Sequence, residues 1–394
     1  PSVNDNSFVY ALISRRNVNR AGTRYNVRGI DERGDVANNC ETEQIVVNKE
    51  TVKRASFVQT RGSIPLYWEQ KPNLKWKPKP VLTKPTEDAE AIQLHFQQQK
   101  ELYGNQVCVN LVDQKGGEEK LGKTYGEQVE AMNDDKLMYF GFDYHHKIRS
   151  SDPKTLDNLL AIAVDPLKDI KYFSATGSKV HQMQKGVIRT NCMDNLDRTN
   201  VAQSVFGRHI LPQQLATVGV CEEGDSVAAH KELDSLFKNI WADNADNISR
   251  QYSGTGALKT DMTRTGVRTK AGMMNDGLNA VTRYYLNSFA DGDRHDCFSL
   301  ILGYYRPSKS KPSPYDHSNN GTVAQLCSVV GFLGFLMLVS TVLSPFAGDS
   351  WSYKIGVCVL WGGLCYIGYG QGKRVLPKLV QQPKLKRTLD KKDR

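Results

Sequence analysis

The sequence has little that could hold a metal ion or a disulfide framework. Its 394 residues include eight cysteines, but there is no Cys-x2-Cys pair and no cysteine and histidine cluster at the spacing of a zinc site. It also lacks zinc-finger, homeodomain and RNA-binding signatures. We therefore expect no metal, no other cofactor and no nucleic-acid partner. The low cysteine density favours a reducing compartment.

Charge is absent from one long segment and nearly absent from another. Residues 323–344 contain no charged side chain, and residues 351–370 contain only Lys354. Because an α-helix needs about 20 residues to cross the hydrocarbon core of a bilayer, the sequence predicts two membrane spans. The short connection at 345–350 then makes a helical hairpin with both ends on one side of the membrane.

Positive charge is concentrated near the end of the chain. The formal net charge is +10, and residues 371–394 hold nine lysines and arginines against two aspartates. Basic residues also precede the first apolar run, at Arg306, Lys309 and Lys311. The positive-inside rule places both flanks in the cytosol, and the basic tail favours contact with an anionic membrane surface.

Residues 1–305 alternate short β-rich runs with helical patterns, which predicts an α/β domain. The clearest strand candidates lie at 57–59, 107–112 and 185–189. A stretch rich in proline, serine, asparagine and lysine follows. The predicted order is an α/β region at 1–305, a linker at 306–322, a transmembrane hairpin at 323–370 and a basic cytosolic tail at 371–394.

The most informative segment runs from Gly186 to Phe206. An apolar run before Cys192 predicts a strand, and apolar residues recur at helical spacing after Arg198. The pattern Cys-x5-Arg thus places a thiol at the end of a strand and a guanidinium at the start of a helix. The backbone N–H groups of 193–199 could surround a phosphate at the positive end of that helix. The segment predicts the strand-loop-helix phosphate-binding loop of a cysteine phosphatase.

Three side chains of this loop have chemistry suited to cleaving a phosphate ester. The helix N-terminus and Arg198 would favour the thiolate of Cys192, which is the nucleophilic form. The planar guanidinium of Arg198 can hold two phosphoryl oxygens at once. Thr199 supplies a hydroxyl that could assist breakdown of a phosphocysteine. The region at 1–305 is therefore predicted to be catalytic.

The segment Arg189 to Asn200 resembles the signature of the Sac-domain phosphoinositide phosphatases, Arg-x-Asn-Cys-x-Asp-x-x-Asp-Arg-Thr-Asn. The hairpin resembles that of the family's integral-membrane member of the endoplasmic reticulum and Golgi. We expect one departure from the family, which is the absence of its N-terminal lobe from this chain. The resemblance covers nearly all of residues 5–305, with further matching blocks at 24–44, 59–65 and 252–266.

The resemblance implies hydrolysis of phosphatidylinositol 4-phosphate to phosphatidylinositol through a phosphocysteine, with the 3-phosphate and other phosphoinositides as further substrates. Substrate contacts are expected from Asn191, Met193 and Asn195 in and beside the loop, and from two cations of the segment 253–266, Lys259 and Arg264. The alternative for this segment is a plain flexible loop. Two other functions stay open. A protein-tyrosine phosphatase would use the same Cys-x5-Arg chemistry, and a phosphoinositide-binding membrane tether would lack catalysis.

Two aspartates of the loop are candidates for proton transfer. An inositol alkoxide is a poor leaving group, so a proton donor is expected. Repulsion from a bound phosphate would raise the pKa of whichever carboxyl faces it. We expect Asp194 to be the general acid and Asp197 to orient the loop by accepting backbone N–H bonds. The alternative is that both carboxylates only brace the loop.

The end of the chain predicts a subcellular location. The residues Lys391-Lys392-Asp393-Arg394 resemble a dilysine retrieval signal. We expect a coat protein to recognise Lys391 and Lys392 and to hold a multi-pass protein in endoplasmic-reticulum and Golgi membranes, with its catalytic region cytosolic. The alternative is a solvated basic tail.

Overall fold

The computed structural model describes residues 2–3, 6–147, 154–265, 268–308, 315, 359 and 380–385. The strands are β1 (Ser2–Val3), β2 (Asn6–Ser7), β3 (Val9–Arg16), β4 (Cys40–Asn48), β5 (Lys53–Arg61), β6 (Trp68–Glu69), β7 (Val81–Leu82), β8 (Asn105–Asn110), β9 (Leu137–Gly141), β10 (Phe173–Thr176), β11 (Lys179–Gln182) and β12 (Gly186–Asn191). The α-helices are α1 (Asp88–Tyr103), α2 (Glu119–Ala131), α3 (Tyr144–Lys147), α4 (Lys154–Ala161), α5 (Val164–Ile170), α6 (Asp197–Thr217), α7 (Lys231–Ser253), α8 (Thr260–Thr265), α9 (Lys270–Phe289) and α10 (Asp291–Ile301).

Eight of the strands form one mixed sheet. Strands β5, β12, β8 and β9 run parallel in that order, and β3 and β4 extend the sheet antiparallel beyond β5. The first half of β5 also pairs with the β10–β11 hairpin. The predicted strand at 57–59 lies within β5. The predicted strands at 107–112 and 185–189 overlap β8 and β12 but extend past them, by two residues at 111–112 and by one at 185. The α/β class is confirmed.

Helices cover both faces of the parallel strands. On one face Phe57 and Ile188 pack with Phe206 of α6, and on the other Cys108 packs with residues of α1 and α2. All six residues of β12 are buried, as expected for a central parallel strand enclosed on both sides. The carboxyl end of β12 lies at one edge of the sheet, and the predicted phosphate-binding loop begins there.

The chain divides into two compact units. One comprises Pro1–Lys71 and Lys79–Asn287, and it contains the large sheet and the phosphate-binding loop. The other comprises Pro72–Pro78 and Ser288–Arg394. Within this second unit the buried carboxylate of Asp296 on α10 accepts the backbone N–H groups of Lys384 and Leu385, each at 3.0 Å.

Among the helices that the structure describes, none combines the length and the apolar character needed to cross a membrane. The predicted hairpin at 323–370 lies outside the described residues, apart from residue 359, and so does the dilysine segment. The predicted spans and their topology stay predictions.

Candidate active site

The predicted phosphate-binding loop, residues 192–196, connects β12 to α6. Strand β12 ends at Asn191 and α6 begins at Asp197, so the strand, loop and helix lie where the sequence predicts them. The loop follows a parallel strand that is paired on both sides, and it leads into the N-terminus of a 21-residue helix. Free backbone N–H groups at such a helix end form a site for an anion.

The loop turns sharply at Asn195. This residue has a φ of +53°, in the left-handed region that asparagine tolerates better than most residues. Its side-chain Oδ1 accepts the backbone N–H of Cys192 at 3.1 Å. Cys192 is only 3% exposed. The side chain of Asn195 thus closes the turn that carries the candidate nucleophile, and Asn191 anchors its start by donating to Asn110 Oδ1 at 2.6 Å.

Arg198 is engaged by a carboxylate from outside the loop. Its two terminal nitrogens donate to the two oxygens of Glu118, each at 2.9 Å, and Nη1 also donates to Leu111 O at 3.0 Å. Burial by itself lowers the pKa of Arg198, but Cys192 and Glu118 outweigh it, so the pKa rises above its ordinary value. Glu118 therefore binds Arg198 in the bidentate arrangement that the guanidinium could also make with a phosphoryl group.

Asp194 is held by two arginines of the first unit. Arg24 donates to its two oxygens at 3.0 and 2.7 Å, and Arg28 donates to Oδ1 at 2.6 Å. Burial by itself raises the pKa of the Asp194 carboxyl, but the two guanidiniums hold it well below its usual range. A general acid must carry a proton, and the two guanidiniums favour the unprotonated carboxylate, so the proton-donor role expected of Asp194 stays a prediction. The geometry fits the alternative, in which the carboxylate braces the loop.

Asp197 joins the loop to the segment that follows α7. Its Oδ1 accepts the backbone N–H of Leu258 at 2.7 Å, and its Oδ2 pairs with Arg283 of α9 at 3.2 Å. The carboxylate does accept a backbone N–H, as expected, but from the neighbouring segment and not from the loop itself. Arg283 also donates to Thr255 and to Gly256 O, which fixes that segment beside the start of α6.

The other predicted site residues have different surroundings. Thr199 is fully buried, and its Oγ1 has no hydrogen-bond partner among the described residues. The buried side chain of Met193 packs in the core, and its carbonyl accepts from Arg28. Lys259 is exposed on a backbone with a φ of +62°. Arg264 donates to Asp243 of α7 at 2.7 Å, so its guanidinium is engaged with that helix.

Several residues of the site carried no role in the sequence-based prediction. Arg24 and Arg28 belong to a block that resembled the family, but nothing in their spacing pointed to Asp194. Glu118 gave no signal at all. Arg61 is fully buried and hydrogen-bonds to Gln203 and Asn200 of α6, and burial lowers its pKa to about 10.

One group of side chains away from the loop has the donor atoms of a metal site. In the part of the chain that the structure describes, Cys221, Asp225 and His230 place one ligand atom each within 4.8 Å of one another. They lie between α6 and α7, beyond the far end of α6. Asp225 accepts from His230 at 2.6 Å, which accounts for the cluster without an ion. This group is not part of the phosphate-binding loop.

Comparison with known proteins gives a consistent match. Residues 1–149 match the family model described as SacI homology domain. The chain is 40% identical over 390 residues to phosphatidylinositol-3-phosphatase SAC1-A of Danio rerio, covering 97% of this chain and 66% of the relative. It is 42% identical over 359 residues to phosphatidylinositol-3-phosphatase SAC1 of Saccharomyces cerevisiae, covering 87% and 56%.

A longer protein also matches. Phosphatidylinositide phosphatase SAC2 of Homo sapiens is 42% identical over 298 residues, which are 75% of this chain and 26% of the relative. The chain thus spans less than two thirds of the length of each of these relatives. The matched domain, and about 40% identity over most of the chain, confirm the resemblance drawn from the loop. The chain belongs to the Sac family, whose SacI homology domain it carries.

Proposed function

We propose that this chain is a phosphoinositide phosphatase that acts through a phosphocysteine on Cys192. The observation that carries the proposal is the placement of Cys192 directly after a central parallel strand and of Arg198 in the first turn of the helix that follows the loop. This loop can bind a phosphate through backbone N–H groups and a guanidinium at once. The intact Cys-x5-Arg pattern favours catalysis over a tether function.

The reaction proceeds in two displacements at phosphorus. The Cys192 thiolate attacks, an S–P bond forms, the P–O bond to the inositol ring breaks, and the departing oxygen takes up a proton. A water molecule then attacks the phosphocysteine, a P–O bond forms and the S–P bond breaks. Inorganic phosphate, which carries the protons of the water, is released and the Cys192 thiolate is regenerated. Arg198 stabilises the charge on the equatorial oxygens in both steps, after it has exchanged Glu118 for the phosphoryl group.

Two monophosphorylated lipids are proposed as substrates. The family resemblance favours phosphatidylinositol 4-phosphate, whereas the names of the matched SAC1 relatives specify the 3-phosphate. A loop that binds the phosphate group would meet the same group in either isomer, so its geometry does not select one. We therefore propose activity on both the 4-phosphate and the 3-phosphate.

Membrane attachment is proposed on the sequence alone. The uncharged runs within 323–370 and the basic flanks support a hairpin anchor with the first unit on the cytosolic side. The final Lys391 and Lys392 support residence in the endoplasmic reticulum and Golgi through recognition by a coat protein. The substrate would then lie in the membrane that holds the enzyme.

The test is phosphate release by the full chain reconstituted in phosphatidylcholine vesicles. Each vesicle preparation carries one phosphoinositide isomer, and a phosphotyrosine peptide is assayed beside them. We expect release from the 4-phosphate and 3-phosphate lipids, background release from the peptide, and loss of activity in Cys192→Ser. The exposed Cys297 provides the matched control, because Cys297→Ser should keep full activity. Faster release from the peptide than from every lipid would favour the tyrosine-phosphatase alternative.

A further inference from the structure

Helix α9 is amphipathic in the reverse of the usual sense. Its exposed face carries Met274 (69% exposed), Leu278 (62%), Val281 (60%) and Tyr285 (59%). These positions follow the i, i+4, i+7, i+11 spacing of one helix face. Since an α-helix rises about 1.5 Å per residue, these four residues form an apolar stripe roughly 17 Å long. Contiguous apolar surface of this kind marks an interaction site.

The opposite face of α9 is polar and buried. Arg283 is 5% exposed and Asn287 is 1% exposed. Positions two residues apart on an α-helix are separated by about 200°, so Arg283 points away from both Val281 and Tyr285. The helix therefore packs through hydrogen bonds and leaves its apolar side to the outside.

The buried face binds α9 to the phosphate-binding loop. Arg283 pairs with Asp197 at 3.2 Å, at the start of α6. Asn287 accepts from Arg24 at 3.2 Å, and Arg24 in turn holds Asp194. Whatever surface contacts the stripe is thus connected to the catalytic loop through two short chains of contacts.

The charge on α9 suits an anionic surface. The helix contains one acidic residue, Asp276, and its carboxylate is engaged by Arg268 at 2.5 Å and by the backbone N–H of Lys259 at 3.0 Å. The exposed face begins with Lys270. A helix with an apolar stripe, an exposed lysine at its start and a tyrosine on the stripe suits the interface of a bilayer.

We propose that the α9 stripe, defined by Met274, Leu278, Val281 and Tyr285, docks onto an anionic lipid bilayer. The stripe inserts among the lipid headgroups and holds the phosphate-binding loop at a fixed distance from them. This inference rests on the proposed function, since it describes how a phosphatase would meet a lipid substrate within its membrane. Its occupant is the bilayer and not a second copy or the segment 323–370.

Photo-crosslinking of the full chain identifies the occupant directly. The photoreactive residue p-benzoylphenylalanine replaces Leu278 in one variant and Leu102 in a matched control, because Leu102 is 71% exposed on α1. Both variants are reconstituted in vesicles of phosphatidylcholine and phosphatidylinositol that contain a radiolabelled lipid. We expect lipid labelling from position 278 and background labelling from position 102. Crosslinks from 278 to a second copy or to the segment 323–370, or equal lipid labelling from both positions, would overturn the proposal.

Kinetics provide a second measurement. Leu278→Asp combined with Val281→Asp should lower the ratio of vesicle-borne to short-chain soluble phosphoinositide hydrolysis by about tenfold or more. Leu102→Asp should leave that ratio at the wild-type value, and an unchanged ratio in the double variant would contradict the proposal. Crosslinking requires no turnover, and hydrolysis of the soluble substrate requires no bilayer. Failure of the docking proposal can therefore be distinguished from failure of the proposed phosphatase activity.

Discussion

Glu118 and Arg198 form a two-pronged ion pair beside the phosphate-binding loop, with both N···O distances at 2.9 Å. The carboxylate presents two oxygens to the guanidinium, as a phosphoryl group would. Glu118 also accepts the backbone N–H of Asp113 at 3.0 Å, so it is fixed in place. Phosphate must therefore compete with an internal anion for Arg198.

Removing the charge of Glu118 should strengthen anion binding. In Glu118→Gln the amide competes less well for Arg198, and we expect the Kd for inorganic phosphate to fall by about tenfold, equivalent to about 1.4 kcal/mol. Isothermal titration calorimetry measures this constant. The neighbouring Glu119 is exposed, so Glu119→Gln should leave the Kd unchanged. Weaker phosphate binding by Glu118→Gln would show that Glu118 positions Arg198 for the ligand.

Asp194→Asn distinguishes proton donation from bracing of the loop. A general acid would be needed for the lipid but much less for an aryl phosphate, whose phenolate leaves unaided. Because Arg24 and Arg28 both bind this carboxylate, we expect the variant to lose activity on both substrates by a similar factor, roughly 10²-fold. Parallel assays of kcat/KM on the two substrates decide the matter. Loss confined to the lipid would support the general-acid role.

The same variant should be less stable. Removing one partner of a largely buried ion pair costs about 3–5 kcal/mol, because the remaining charge is left uncompensated. Urea unfolding of Asp194→Asn measures the change in the free energy of unfolding. Asp165→Asn is the control, since Asp165 is 88% exposed and its loss should change the free energy by less than about 1 kcal/mol. Equal stability of the two variants would contradict the ion-pair assignment.

His95 should make the fold sensitive to mild acid. It is buried in α1, its Nδ1 bonds to Gly34 O at 2.8 Å, and burial lowers its pKa to about 3. An unfolded histidine with a pKa of about 6.5 binds a proton that the folded one does not, so stability is lost as the pH falls below about 6.5. Between pH 6.5 and 5 the expected loss is about 2 kcal/mol.

Urea unfolding at pH 7 and pH 5 tests this prediction. His95→Asn retains a donor for Gly34 O but does not titrate, so its stability should fall less between the two pH values than that of the wild type. His181 is exposed, and His181→Asn should keep the wild-type dependence. The same loss in all three proteins would show that another group causes the acid sensitivity.

The Asp197 carboxylate should protect the backbone N–H of Leu258 from exchange. The N···O distance is 2.7 Å, and neutralising the carboxylate in Asp197→Asn weakens this charge-assisted bond. We expect amide exchange at Leu258 to accelerate about tenfold, equivalent to about 1.4 kcal/mol, as measured by hydrogen exchange. Unchanged protection would place the constraint on the 254–258 segment elsewhere, for instance at Arg283.

The fold around the loop was predictable because its signals are local. The buried runs of β8 and β12 and the helical spacing in α6 are each contained within a short window. The Cys-x5-Arg pattern then placed Cys192 after the strand and Arg198 at the start of the helix, where the structure has them. The sequence signal for the membrane hairpin is equally local, but the predicted hairpin lies outside the described residues.

The partners of the loop were not predictable because they are distant in the sequence. Arg24 and Asp194 are separated by 170 residues, and Glu118 and Arg198 by 80. No periodicity connects such pairs, so the sequence contained no indication that Arg24 and Arg28 bind Asp194 and lower the pKa of its carboxyl. The reversed packing of α9 was missed for a related reason. An apolar stripe at helical spacing normally indicates the buried face, and only the contacts of Arg283 and Asn287 reveal the opposite.

The most direct test of the account is chemical capture of the intermediate on Cys192. The full chain in vesicles is mixed with phosphatidylinositol 4-phosphate labelled in its phosphate, quenched with acid within one turnover, digested and analysed by mass spectrometry. We expect a phosphate on the peptide that contains Cys192, and no label in Cys192→Ser. Turnover with no label on Cys192, or label on a different residue, would contradict a phosphocysteine mechanism at this loop.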